Sequence, residues 1–367
     1  MVLLERVREI FGDVNDRRNN AAYLAFHSLR LFAEANGVDG DGVFEVLGRA
    51  DAWDRFLRYL RNRGFSGVTV NNYVSKLRAI CDFYNIQVDW VRVGKVKRIL
   101  WRGELSRNIF AEREGELTRE KIRRMLFYGC SSLREKAMVL IMATSGISIG
   151  DLLSLKVKDI QDLYSERPCY KLEFRRRKTG VKTITFITRE ARDVLMDYLK
   201  ERERNGEKIT LESPVIATWN GRRLRDTQAR MIFYRIFEKA DLQEDIGRDA
   251  RGHVRKKYRP HLLRKFFRTA LRNAGIERIY VEAMMGHDLR STFGVEMVYD
   301  KQADKPEVLE EQYRRAIPEL TFLSELPYLE RKKRQAELEE RIKKLEKLVN
   351  KLLALQTQHS LQDLESV

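Results

Sequence analysis

RPHLLRKFFRTALRNAG, residues 259–275, sets the reading of the whole chain. Pro260 suits the first turn of a helix, where its missing N–H is not needed, and Gly275 suits the C-terminal end, where the backbone turns left-handed. At about 100° per residue, Leu262, Leu263, Phe266, Phe267, Ala270, Leu271 and Ala274 form a wide apolar arc. His261, Arg264, Lys265, Arg268 and Arg272 gather on the other side. His261 and Arg264, three apart, then project together from the first turn. A guanidinium beside an imidazole near a helix N-terminus is a good phosphate receptor, because the donors and the helix dipole all favour an anion. By itself such a stripe is more often the solvated flank of a surface helix.

The flanking segments change that balance. Downstream, MMGHDLRSTFGVEMVYDK (284–301) carries His287 after a glycine and Tyr299 twelve residues later. Upstream, CYKLEF (169–174) and KTITFI (182–187) alternate as β-strands do around a basic turn, RRRKTG (175–180), which holds Lys178. Two helices, 133–144 and 149–155, precede that hairpin, and TREARDVLMDYLKERER and RDTQARMIFYRIFEKA read as helices after it. Thr118 is placed to cap the helix of EKIRRMLFYG.

The first hundred residues read as a small all-helical domain. DAWDRFLRYLRNRG is amphipathic and stopped by Gly64. In TVNNYVSKLRAICDFYN, Val70, Tyr73, Val74, Leu77, Ile80, Cys81 and Tyr84 share one helical face. Between about 88 and 116 the periodicity weakens, as in a passage between domains. The predicted organisation is a helical domain over 1–105, a linker over 106–116, a second domain over 117–325 and a helical tail over 326–367. The fold class is mainly α with a small antiparallel β element, α+β. In the tail, Leu338, Ile342, Leu345, Val349 and Leu352 step by 4, 3, 4, 3, a short heptad seam that suits either self-pairing or packing on its own domain.

Charge narrows the partner. Among 367 residues, 71 Lys and Arg face 54 Asp and Glu, a net charge of +17. Such a surplus attracts polyanions, since each cation that meets a phosphate releases counterions, so nucleic acid is favoured over an acidic membrane surface. Cys81, Cys130 and Cys169 are odd in number and scattered, which supports neither a zinc site nor a disulfide framework. The charged start MVLLERVREIFGDVND argues against a secretory signal, and no run of 18 apolar residues occurs. An intracellular, DNA-associated protein is expected. The charged content, rich in Glu, Lys and Arg, also resembles that of hyperthermophile proteins.

Taken together, H-L-L-R (261–264), M-G-H (285–287), Tyr299, Lys178 and the segment LREKAMVLIMATSGISIGDLLSLKVKDI (133–160) resemble the tyrosine recombinase, or phage integrase, family. In that family an arginine in T-G-x-R-x-x-E-L, a hairpin lysine, H-x-x-R, G-H and a tyrosine follow in this order. FLRYLRNRGFSGVTVNNYVSKLRAI (56–80) is similar to the family's core-binding domain, and the resemblance covers roughly residues 45 to 315. H-x-x-R and G-H are common singly; their order and hairpin context are specific. The ending EEQYRRAIPELTFLSELPYL (310–329) before a charged helix is similar to archaeal plasmid and virus integrases.

The resemblance implies Tyr299 as nucleophile, with His261, Arg264 and His287 around the scissile phosphate. It also implies a 3′-phosphotyrosyl intermediate, no metal, ATP or other cofactor, and a tetramer on two duplex attachment sites. Lys178 or a histidine would protonate the leaving 5′ oxygen. Lys178, His261, Arg264, His287 and Tyr299 are therefore expected to converge. For DNA contact the candidates are Asn71, Asn72, Ser75 and Lys76 on one helix, Lys95, Lys97, Arg98 and Arg102 in the passage between domains, Arg175, Arg176 and Arg177 in the basic turn, Arg268, and the basic run RDARGHVRKKYR (248–259) with Arg255, Lys256 and Lys257. That run also reads as a solvated loop.

Two departures from the family pattern stand out. SGISIGDL (145–152) has Ser148 where the first arginine belongs, and a neutral hydroxyl cannot make the bidentate contact; losing one such donor costs roughly 10²–10³ in rate. An impaired enzyme, replacement of the charge by Arg175, Arg176 or Arg177, and DNA binding without cleavage all remain open. The gap from His287 to Tyr299 is also longer than the family's, which keeps Tyr313 as a second candidate nucleophile; Tyr280 fits less well. The rival functions are a non-catalytic DNA-binding protein on this fold and a tyrosine-type topoisomerase. Recombinant product, a mere shift or relaxed plasmid separates them on a gel.

Overall fold

The computed structural model describes residues 2–13, 20–102, 114–248, 253–293, 305–324 and 340–347. By its internal contacts the chain divides into two units, Met1–Glu114 with Glu244–Lys257, and Gly115–Gln243 with Tyr258–Val367. Among the described residues the architecture is mainly helical, with two small antiparallel sheets.

In the first unit, α1 (Val2–Phe11), α2 (Asn20–Asn36), α3 (Gly42–Val46), α4 (Ala50–Asn62), α5 (Gly67–Phe83) and α6 (Trp90–Leu100) surround one apolar core. α5 starts where Ser66 accepts the Thr69 N–H at 3.3 Å. It buries Val70, Tyr73, Val74, Leu77, Ile80 and Cys81, the face its sequence spacing predicts. α4 ends before Gly64, which adopts φ +73°. α6 corrects the sequence reading, because residues 90–100 form a helix rather than an aperiodic passage. Asp89 caps it by accepting from the Arg92 N–H at 2.9 Å, and it buries only Val93, too little apolar surface to leave a periodic trace. Trp101 closes the segment from inside the core, donating its indole N–H to Phe65 O at 2.8 Å.

The basic run before residue 259 also differs from a loop. Val254–Lys256 pairs antiparallel with Asp245–Arg248. Lys256 pairs with Asp245 at 2.7 Å and Lys257 with Glu244, so acids of the same hairpin neutralise these two cations.

The second unit is built on α8 (Leu133–Ser145), which follows α7 (Arg119–Arg124) and a π-helical turn over Met125–Gly129. Thr118 caps α7, as its sequence suggests. α8 is buried continuously from Ala137 to Ser145 and carries no polar stripe, which suits a helix enclosed by its neighbours. Around it lie α9 (Ile149–Leu152), the hairpin β1 (Cys169–Arg175) and β2 (Lys182–Thr188), α10 (Arg189–Arg204), α11 (Asp226–Lys239), α12 (His261–Asn273), α13 (Arg278–Met284), α14 (Leu289–Phe293) and α15 (Pro306–Ala316). β1 and β2 pair in register from Cys169 with Thr188 to Arg175 with Lys182.

The last carbonyls of α8 have no partner within the helix and must find donors elsewhere. The Tyr313 hydroxyl donates to Thr144 O at 2.8 Å and Thr185 Oγ1 to Ser145 O at 2.9 Å. Gly146 then turns left-handed at φ +66°, packed so closely on Phe267 that a side chain there would collide with the ring. In the tail, residues 340–347 are helical, with Ile342 and Leu345 exposed; Leu338, Val349 and Leu352 lie outside the described residues.

Candidate active site

The site grows from the C-terminal end of α8. Arg264 Nη1 donates to Gly146 O, continuing the series of donors that satisfy α8, and the negative end of that helix dipole favours a cation there. Arg264 Nη2 donates to Met285 O and lies 3.0 Å from His287 Nε2. The exposed basic face read from the sequence therefore needs correction. Arg264 is only 5% exposed, turned inward against two carbonyls, while His261, Lys265 and Arg272 remain at the surface. Burial first, then the Arg176 charge beside it, pushes the Arg264 pKa down to about 10, which still leaves it cationic at neutral pH.

His287 is held from behind. Its Nδ1 hydrogen-bonds Glu282 Oε2, and Arg268 donates to Glu282 Oε1. Glu282 is 3% exposed, an acid that the sequence reading passed over. A carboxylate accepts only, so Nδ1 carries a proton and, in the neutral ring, Nε2 is left to accept from Arg264. The Glu282 pKa lies below its ordinary value: burial pushes it up, but the His287 hydrogen bond and the Arg268 charge outweigh that. Arg268, expected at DNA, spends its charge here. The only trace of Glu282 in the sequence is its position five residues before His287.

His261 opens α12 one turn before Arg264. Desolvation, followed by the charges of Lys265, Arg264 and Arg259, lowers its pKa, so it is a neutral donor or acceptor at neutral pH.

Ser148 caps α9, with Oγ accepting from the Asp151 N–H at 3.2 Å and donating to Asp151 Oδ2 at 2.7 Å. Asp151, 2% exposed, was also missed from the sequence. It ties the basic turn down, accepting from Arg177 N at 3.0 Å and from Arg176 Nε at 3.4 Å. Arg176 Nη1 reaches Gly286 O at 3.0 Å. Arg175 donates to Gly180 O at 3.2 Å across the turn, which Gly180 completes at φ +70°. Lys178 follows Arg177 and is exposed.

Arg264, His287, Arg176 and Ser148 are thus brought together, with His261 one turn away and Lys178 on the adjoining turn. Tyr299 lies outside the described residues. Tyr313 is fully buried between Phe186 and Phe267 with its hydroxyl bound to Thr144 O, and desolvation raises its pKa well above 10, so it is a core residue and not an available nucleophile.

On the first unit, Asn72 and Ser75 are exposed on α5, Asn71 and Lys76 half-buried, and Lys76 lies over the Phe11 ring. Lys95 and Arg98 are exposed on α6, with Arg102 just beyond it, while Lys97 is half-buried and its pKa is lowered, mainly by desolvation. Arg255 is half-buried in the small hairpin.

Comparison with known proteins fits this arrangement. The chain is 24% identical over 264 residues to tyrosine recombinase XerD of Oceanobacillus iheyensis, covering 69% of this chain and 79% of that protein. It is 26% identical over 241 residues to tyrosine recombinase XerA of Thermococcus kodakarensis, covering 65% and 73%. Its fold is similar to that of the Tn1549 transposon integrase in complex with circular intermediate DNA, with TM-score 0.55, 17% identity and coverage of 80% and 94%. The XerH site-specific recombinase bound to a palindromic difH substrate is also similar in fold, at TM-score 0.52, 18% identity and coverage of 82% and 93%. Residues 116–305, which contain the whole cluster from Ser148 to His287, match the phage integrase family, and the chain belongs to it.

Proposed function

We propose that this protein is a site-specific recombinase that cuts and rejoins duplex DNA through a covalent bond to Tyr299, as an integrase of an archaeal plasmid or virus. The observation that carries this reading is the buried Arg264 beside His287, with the imidazole fixed by Glu282 and His261 one turn away. A phosphodiester resists attack because it is anionic. Donors fixed in place before reaction stabilise the extra charge of the transition state without reorganising, and no metal is needed for that step.

In the proposed reaction the Tyr299 oxygen attacks phosphorus and the P–O5′ bond breaks. The tyrosine proton passes to a neutral base, for which His261 is suited, and Lys178 or a histidine gives a proton to the leaving 5′ oxygen. The second half is the same displacement in reverse, by the 5′ hydroxyl of another strand, so the bond energy stays in the phosphotyrosine and no cofactor is consumed. The DNA-bound relatives support DNA as the partner. The assembly we propose, a tetramer on two duplex sites, rests on the family resemblance alone. The helical domain over 1–105 and the catalytic domain over 117–325 would share the duplex.

A second reading, DNA binding without cleavage, rests on Ser148. The test is incubation with attachment-site DNA from the host element, followed by a denaturing gel. A covalent adduct that maps to Tyr299 and vanishes in Tyr299→Phe, with binding retained, is the expected result. Binding with no adduct under any condition gives the case to the second reading.

A further inference from the structure

We propose that Arg176 does the work of the arginine that position 148 lacks, reaching the scissile phosphate from the β-hairpin instead of from the turn after α8. The inference rests on the strand-transfer reading above. Arg176 and Arg264 donate to consecutive carbonyls, Gly286 O and Met285 O. They also hold opposite ends of the turn that contains Ser148: Arg264 donates to Gly146 O, and Arg176 Nε to Asp151 Oδ2. Two guanidiniums therefore flank Ser148, one from each side, close enough for the Arg176 charge to depress the pKa of Arg264.

Like charges held together at 5% and 12% exposure are unfavourable unless an anion joins them. Asp151 and Glu282 both favour the charged form of Arg264 and offset part of that charge, Glu282 sharing its own with Arg268, and a phosphate oxygen would take up the rest. The remaining Arg176 nitrogen, Nη2, has no hydrogen-bond partner among the described residues and is the donor left for it. Several contacts fix the Arg176 side chain rather than leaving it to sweep through solvent. Its backbone closes the turn, N to Val181 O at 2.9 Å and O from Gly180 N at 2.8 Å. Gly286 lets the chain pass close by, since a Cβ there would stand 2.7 Å from Arg176 Cδ. Neighbouring Arg175 bonds across its own turn to Gly180 O, and Arg177 engages Asp151 through its backbone N–H, so neither side chain is committed to the Ser148 turn.

The test uses the full-length protein and a duplex that the wild-type chain selects from a random-sequence pool, nicked beside the cleavage position so that the covalent adduct accumulates. Arg176→Ala is expected to slow adduct formation by roughly 10²–10³ while shift affinity changes far less. Ser148→Arg placed in the Arg176→Ala chain is expected to regain most of that loss, since it returns a guanidinium to the same place from the other side. This rescue separates loss of function from loss of folding, and a thermal melt of each variant accompanies it. With a neutral methylphosphonate at the scissile position the deficit of Arg176→Ala should shrink to under about tenfold, because less charge needs to be neutralised. An adduct rate unchanged in Arg176→Ala overturns the inference and leaves the recombinase reading intact. So does an adduct from Ser148→Arg when the wild-type chain gives none. If neither the wild type nor Ser148→Arg forms an adduct on DNA that both bind, the strand-transfer reading itself fails, and this inference with it.

Discussion

Glu282 shows how one buried acid sets the chemistry of its neighbours. It fixes the His287 proton on Nδ1 and shares its other oxygen with Arg268. Replacing it as Glu282→Gln should cost about 1–3 kcal/mol of stability, the usual range for breaking a buried hydrogen bond to a charged group, and should slow adduct formation more than binding. The same carboxyl gives a pH test. Its folded pKa lies below the ordinary 4.5, so its stabilisation is complete above that value and is lost as the pH falls through the lower folded value. Acid denaturation should therefore separate wild type from Glu282→Gln near neutrality and bring them together as the pH falls below the lowered folded value of Glu282. Curves that stay equally far apart down to acid unfolding would refute the ion pair. At Gly286, a substitution to alanine must both tolerate φ +63° and displace Thr183 and Arg176; a loss of roughly 1–3 kcal/mol in thermal denaturation is expected.

At the scale of the element, the C-terminal end of α8 organises the site. Its carbonyls are taken in turn by Tyr313, Thr185 and Arg264. Tyr313→Phe removes one donor from a buried carbonyl and should destabilise the fold by about 1–3 kcal/mol, yet leave the covalent adduct in place. Loss of the adduct in a folded Tyr313→Phe protein would return that residue to the list of nucleophiles. This element also marks what was legible beforehand. The hairpin, α5 and α12 follow directly from apolar periodicity and turn residues, because those signals are local. α6 was not legible, since its only fully buried side chain is Val93 and a helix with so small an apolar face has no periodic stripe. The small hairpin at 245–256 was hidden for a related reason: a basic segment pairs through its backbone and through the acids Glu244 and Asp245, and neither is an apolar signal.

For the whole molecule, the surplus of +17 predicts binding governed by phosphate contacts. Log affinity for duplex DNA should fall linearly with log salt. For a protein making about 6–10 phosphate contacts, the loss between 50 and 200 mM is roughly 10³–10⁵. A nearly flat plot would remove the electrostatic case. The surplus is not evenly available, because Arg264 is turned inward, Arg268 is paired with Glu282, and Lys256 and Lys257 are paired within their hairpin. The salt slope should accordingly change little in Lys256→Ala and Lys257→Ala and fall in variants of exposed Lys95, Arg98 and Arg102.

By itself the sequence determined the fold class, the order of the motif residues and the chain's own surplus of positive charge, because periodicity, spacing and composition need no knowledge of the third dimension. Only the tertiary structure decided that Arg264 faces inward, that Tyr313 is core, that Glu282 holds His287, and that of three consecutive arginines Arg176 is the one beside the Ser148 turn. The placements of Arg264, Arg176 and Tyr313 depend on where unsatisfied carbonyls lie once distant segments pack together. A hydrogen-bond partner more than 100 residues away leaves no mark on the local pattern of a chain.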